Sequence, residues 1–266
     1  MFIDVNGAPV FAANGGVAFD PARPAAVFLH GSGMDHSVWA LQTRWFAAHG
    51  FGVLAVDLPG HGKSGGALLT SIAAMADWVA DLLDAAGVAK ALVIGHSMGS
   101  LIALETGARH PSRVAGLGLV ATAPAMPVHP DLLAASERND PAAHAMVNLW
   151  GHGARAGVGG CKAPGLWMTG QGARVLANAP KGALFADMSA CNAYADGLAS
   201  AAKISAPTAV VLGGRDMMTP AAQGRALAKA ISGAVVAETP AAGHMLPIEE
   251  PDHTLDALIQ LTKLSA

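Results

Sequence analysis

The chain is poor in cysteine and in charge, and it has no long apolar run. Cys161 and Cys191 are its only cysteines among 266 residues. Two thiols in a chain of this size do not make a disulfide framework, so they read as reduced, small, partly buried side chains. Charged residues make up 13% against 52% hydrophobic, and the net charge is −3. A disordered chain shows the opposite balance. No block of Lys or Arg is present, which speaks against nucleic acid or an anionic membrane surface as partner. Every apolar stretch is broken by Gly, Pro or a charge before the ~18–20 residues needed to span a bilayer. The first residues, Met1-Phe2-Ile3-Asp4-Val5-Asn6-Gly7, lack the basic start and apolar run of a signal peptide. The expectation is a soluble cytoplasmic protein whose partner is a small molecule. The composition does not choose between monomer and homodimer.

The length suits one generous domain, or a core domain carrying an insertion. Short apolar runs alternate with helical spacing. Ala25-Ala26-Val27-Phe28-Leu29-His30, Val53-Leu54-Ala55-Val56, Ala91-Leu92-Val93-Ile94 and residues 116–120 read as strands. Residues 38–49, a stretch capped by Thr70 and running to Ala86, and residues 98–109 read as helices. The rhythm resumes with a strand at Thr208-Ala209-Val210-Val211-Leu212, a helix over 221–231, a strand at Ala234-Val235-Val236-Ala237 and a helix over 250–264. Continuous apolar runs of this length suit parallel strands covered on both faces, and the alternation predicts a doubly wound α/β sheet. Residues 125–205 break the pattern. They show short helical stretches without a clear strand, and a structureless loop of that length is implausible in a compact domain. The expected division is a core of residues 1–124 and 206–266 with a helical insertion at 125–205.

Chemistry concentrates where predicted strands end. Gly95-His96-Ser97-Met98-Gly99 follows a strand and opens a helix, the context of a Gly-x-Ser-x-Gly nucleophile elbow. Ser97 would stand clear of the backbone, with the Met98 NH and the helix N-terminus aimed at the same point. His30-Gly31-Ser32-Gly33 closes an earlier strand, and the Ser32 NH is the candidate for a second oxyanion donor. His30 reads as a residue that holds this turn by hydrogen bonds. Gly213-Gly214-Arg215-Asp216 places Asp216 after the strand that follows the insertion, and Gly243-His244 places His244 after the last strand. The chain order is then nucleophile, acid, histidine. Asp57, which precedes the serine, reads with His61 and Lys63 as loop-shaping. A serine hydroxyl needs a base, imidazole is the base poised near neutral pH, and a buried carboxylate fixes the imidazole's tautomer. Ser97, His244 and Asp216 fit those three roles.

These motifs, with Asp57-Leu58-Pro59-Gly60-His61-Gly62-Lys63-Ser64, resemble the α/β-hydrolase superfamily, in particular esterase-like members with a helical cap. The resemblance covers the chain outside the cap. It implies the α/β-hydrolase fold: a mostly parallel eight-stranded sheet flanked by helices, with a helical cap insertion over the pocket. It implies no metal and no organic cofactor. A serine at the elbow sets the chain apart from haloalkane dehalogenases and soluble epoxide hydrolases, which use aspartate there.

By the same resemblance the cap chooses the substrate. Trp150, Trp167, Met126 and Met146 are its candidate pocket residues, although most apolar cap residues should form the cap's own core and its seam. His129, His144 and His152 lack paired metal-ligand spacing. Few basic residues lie in the cap, so a highly anionic substrate has no evident anchor. The expected activity is hydrolysis of small to medium apolar carboxylic esters. Lactones, enol-lactones, thioesters, carbon–carbon bond cleavage and perhydrolysis of acetate remain open to the same residues. A hydrolase-fold receptor with little turnover is the rival from another class.

Overall fold

A computed structural model describes residues 1–265. Eight strands form one sheet in the order β1-β2-β4-β3-β5-β6-β7-β8. The strands are β1 (Phe2–Val5), β2 (Ala8–Ala13), β3 (Ala25–Leu29), β4 (Gly52–Val56), β5 (Ala91–His96), β6 (Val114–Val120), β7 (Thr208–Gly213) and β8 (Val235–Thr239). β1 and β2 pair antiparallel, and so do β2 and β4. Every other pairing is parallel. This is the expected α/β-hydrolase sheet.

Successive side chains of a strand point to opposite faces, and here both faces are covered. Along β3, Ala25, Val27 and Leu29 enter one core, while Ala26 and Phe28 enter the other. The helices α2 (Ile72–Ala85), α3 (Met98–Arg109) and α9 (Ala221–Ala230) supply the first face through Met75, Leu101 and Leu227. The second face is covered by α1 (Ala40–Ala48), α10 (Leu246–Glu249) and α11 (Pro251–Leu264), through Phe46, Leu246 and Leu258.

The sequence reading differs from the structure in three places. Helix α2 is capped by Ser71 rather than Thr70, and the Ser71 hydroxyl accepts from the Ala74 NH at 3.2 Å. The β1–β2 hairpin and the short helix α10 were not anticipated as separate elements. The hairpin turns on Asn6 and Gly7, both at positive φ (55° and 82°), the backbone of a two-residue type I′ turn.

Five helices lie between β6 and β7: α4 (Pro130–Glu137), α5 (Pro141–Gly151), α6 (Met168–Ala177), α7 (Ala183–Ala193) and α8 (Gly197–Ala201). The first four share a small apolar core that includes Leu132, Val147, Leu176, Leu184 and Met188, whereas Ala201 of α8 joins a core of the sheet. Polar ties join this insertion to the rest of the chain. Glu105 accepts from the Tyr194 and Ser200 hydroxyls at 2.9 and 2.7 Å. Buried Glu250 pairs with Arg155 and Lys162. Among the described residues no helix is long and apolar enough to cross a membrane.

Candidate active site

The chain turns from β5 into α3 at Ser97, whose φ of 55° and ψ of −122° are rare for a residue with a side chain and carry strain. The turn is possible because the strand, the helix and the neighbouring loop touch backbone to backbone. A Cβ on Gly95 would overlap the Gly99 carbonyl, and one on Gly99 would overlap the Leu29 carbonyl. The Ser97 NH donates to Val120 O at 2.9 Å, and Ser97 O accepts from the Ser100 NH and hydroxyl at 2.7 and 2.6 Å. These bonds tie down the Ser97 backbone, and the residue lines a cavity.

Asp216 follows β7 and is buried. One carboxylate oxygen accepts from the NH groups of Met218 and Thr219, both at 2.8 Å. The other accepts from the Thr219 hydroxyl at 2.6 Å and faces His244 Nδ1 at 2.8 Å. Burial pushes this carboxyl up, but the charge and hydrogen bond of His244 and the bonds from Thr219 outweigh it, and its pKa lies below the usual carboxylate range. Asp216 is therefore an anion, and it places the His244 proton on Nδ1. His244 Nε2 is buried and has no hydrogen-bond partner among the described residues.

The loop bearing His244 is held from three directions. Gly151, the last residue of α5, accepts from the NH groups of His244 and Met245 at 3.0 Å each. The Glu249 carboxylate accepts from the NH groups of Gly153, Gly243 and Met245 at 2.9, 3.2 and 3.2 Å. His96 Nε2 donates to the His244 carbonyl at 2.9 Å. Burial, together with the charge of nearby His244, lowers the His96 pKa to about 3, so His96 works as a neutral donor.

Ser97, His244 and Ser32 line one cavity of about 390 Å³. A cleft of about 20 Å³ beside it is bordered by Gly31, Ser32, Ser97 and His244. Among the loop and cap hydrogen bonds of the described residues, neither the Ser32 NH nor the Met98 NH has a protein acceptor. Met98 follows Ser97 in the chain, and Ser32 lines the same cavity as Ser97.

Met126 and Trp150 line the large cavity. Two other residues read from the sequence do not. Trp167 is 72% exposed and lies against Gly170 at the start of α6. Met146 packs on the insertion's own core. Apolar character marked these residues as able to line a pocket, but composition carries no direction. The wall is completed by residues the sequence did not single out for it, among them Leu132, Cys191 and Met217. Glu249, Thr219 and Asp187 were missed as well. The partners of Asp187 lie on distant loops, whereas Thr219 stands three residues after Asp216 and Glu249 four residues after Met245.

The loop residues behave as read. His30 accepts from the Leu58 NH at 3.1 Å and bonds the Gly31 carbonyl at 2.9 Å. Asp57 accepts from the NH and Nδ1 of His36 at 2.8 and 2.7 Å and from the Lys63 NH at 2.8 Å. Asp35, His36 and Asp57 cluster closely enough to suggest a cation site, but these bonds already occupy Asp57. Cys161 and Cys191 are unbridged.

The sequence model described as "Alpha/beta hydrolase family" matches residues 26–257. A pimeloyl-[acyl-carrier protein] methyl ester esterase of Chromobacterium violaceum is 34% identical over 236 residues, 83% of this chain and 87% of that protein. Among solved structures, the enol-lactonase from Burkholderia xenovorans LB400 superposes with a TM-score of 0.86 at 25% identity, covering 99% of this chain and all of that one. A thermophilic esterase superposes with a TM-score of 0.81 at 26% identity, covering 100% of this chain and 98% of that one.

Proposed function

The chain belongs to the alpha/beta hydrolase family, and from that premise we propose that it hydrolyses small to medium apolar carboxylic esters through an acyl-enzyme on Ser97. The observation that carries this reading is the state of His244. Its Nδ1 is tied to Asp216 at 2.8 Å, its Nε2 has no hydrogen-bond partner among the described residues, and the residue lines the same cavity as Ser97. Nε2 is then the free base. It takes the Ser97 proton as Oγ attacks the ester carbonyl, and Asp216 stabilises the imidazolium that forms. The Ser32 and Met98 NH groups receive the oxyanion, each worth roughly 10²–10³ in rate. The imidazolium returns its proton to the departing alcohol. A water deprotonated by the same nitrogen then frees the acid and restores Ser97.

The insertion, residues 125–205, is the proposed cap. Met126, Trp150, Leu132 and Met188 give the cavity an apolar wall, which suits an uncharged acyl or alcohol group. The curated relative named as a methyl ester esterase supports an ester, and the structural relative named as an enol-lactonase supports a lactone as second reading. Unbridged Cys161 and Cys191 suit a reducing, cytoplasmic setting.

The test is fluorophosphonate labelling read by intact mass and peptide mapping, on wild type and Ser97→Ala, alongside turnover of short-chain aryl esters and of lactones. A single adduct on Ser97, absent from the variant, is expected. Ester turnover that survives Ser97→Ala would refute the assignment. Slow, stoichiometric product formation with tight retention would favour a receptor instead.

A further inference from the structure

One buried acid plays no part in the scheme above. Asp187 lies on α7 with no solvent exposure. A single carboxylate oxygen receives two hydrogen bonds, from the Gly33 NH at 2.8 Å and from His61 Nε2 at 3.0 Å. The other oxygen is buried without a partner among the described residues. Burying a half-satisfied carboxylate is costly, so such a group is weak as a device for stability alone.

The protonation of His61 follows from its neighbours. Nδ1 faces the Pro59 carbonyl at 3.1 Å and Nε2 faces Asp187. Both partners are acceptors. A neutral ring has one N–H and serves only one of them, whereas the cation serves both. The groups facing His61 are Asp187 from α7, Asp57 from the loop after β4, and His30, whose ring centroid lies 5.1 Å away. Burial pushes His61 down, but the bond and charge of Asp187 outweigh it and the pKa is raised. His30, pushed down to about 4 by burial and by the charge of His61, stays neutral and accepts from Leu58.

Helix α7 grips the Ser32–Gly33 loop with a single face. Leu184 packs against Gly33, Asp187 accepts its NH, and Cys191 Sγ lies 3.7 Å from Ser32 Oγ. Spacings of three, four and seven residues bring these side chains to one side of a helix. We propose that Asp187 and a protonated His61 form a buried ion pair that positions the Ser32–Gly33 loop, so that the insertion sets the geometry of the oxyanion site as well as roofing the pocket. Both are positioning residues, and the role rests on the reading of the Ser32 NH as an oxyanion donor.

The test combines hydrolysis of p-nitrophenyl butyrate across pH with NMR titration of the His61 ring, on wild type, Asp187→Asn, His61→Gln and His61→Ala. In wild type His61 should titrate above its usual 6.5, and in Asp187→Asn, with burial no longer outweighed, it should fall below that value. For Asp187→Asn, kcat should drop about tenfold or more with KM little changed, since a displaced donor loses part of the ~10²–10³ that its removal costs. His61→Gln can still donate to Asp187. It should keep more kcat than His61→Ala and lack the alkaline decline that wild type shows as His61 loses its proton. If Asp187→Asn does not fold, the two His61 variants carry the test. His61 titrating at or below 6.5 in wild type, or His61→Gln and His61→Ala with equal kcat and the wild-type pH profile, overturns the proposal. A silent Asp187→Asn beside an active wild type removes the positioning role alone. A wild type that neither hydrolyses esters nor takes the fluorophosphonate removes the acyl-transfer reading, and the positioning role with it.

Discussion

Asp216 Oδ2 faces His244 Nδ1 at 2.8 Å and also accepts from the Thr219 hydroxyl at 2.6 Å. That oxygen fixes which imidazole nitrogen carries the proton. In Asp216→Asn an amide NH2 can turn toward Nδ1, which favours the wrong tautomer. Ester turnover should fall by about 10⁴ with the fold intact. Steady-state kinetics with circular dichroism checks this, and a loss under about tenfold would count against the assigned role.

Ser97 is held at φ 55° and ψ −122°, a region that costs a residue with a Cβ on the order of 1–3 kcal/mol. Ser97→Ala and Ser97→Gly both remove the hydroxyl, but only glycine relieves the backbone. Both should be inactive, and Ser97→Gly should be the more stable by about 1 kcal/mol. Paired urea melts decide the order.

Asp57 links β4 to the His36 and Lys63 loops. Burial pushes its carboxyl up, but the bonds from His36 and Lys63 outweigh it and the pKa lies below 3.8. A depressed folded-state pKa means that its contribution to stability is complete above about pH 5 and is lost as pH falls through the folded value. Asp57→Asn should lower stability at pH 7 by about 1–3 kcal/mol and flatten the decline between about pH 5 and 3. Thermal melts across that range provide the test.

Met188 on α7 lines the cavity, whereas Trp167 is 72% exposed. Met188→Trp should therefore reduce kcat/KM for butyryl and hexanoyl esters by about tenfold more than for the acetyl ester, within the ~10–200-fold that pocket shape supplies. Trp167→Ala should leave all three unchanged. Equal losses across chain lengths in Met188→Trp would place the acyl group elsewhere.

Much of the fold was legible because parallel strands are buried on both faces. All five residues of β3 and of β4 are buried, and each stands out as an apolar run. Strand β1 alternates exposed and buried residues over four positions, too brief to register alone. Asn6-Gly7 between alternating apolar residues was the available hairpin signal. Ser97, Asp216 and His244 stood out as candidates because each follows a strand in a glycine-bearing turn. Asp187 was not, since its partners Gly33 and His61 are 154 and 126 residues away. Direction was equally hidden: Trp150 and Trp167 have the same chemistry, and only packing sends one into the cavity and the other to the surface.

The insertion leaves the sheet after β6 and returns at β7, an adjacent strand, so the groups read as acid and base are both made after it. A ribosome that has polymerised the first 205 residues has produced the nucleophile, the elbow and both proposed oxyanion donors, but neither Asp216 nor His244. The His96–His244 bond alone spans 148 residues. Domains tend to organise from the N-terminus as synthesis proceeds. Ser97 is therefore made well before the two groups read as its acid and base, and the residues of the proposed catalytic set meet only once β7 and β8 have joined the sheet.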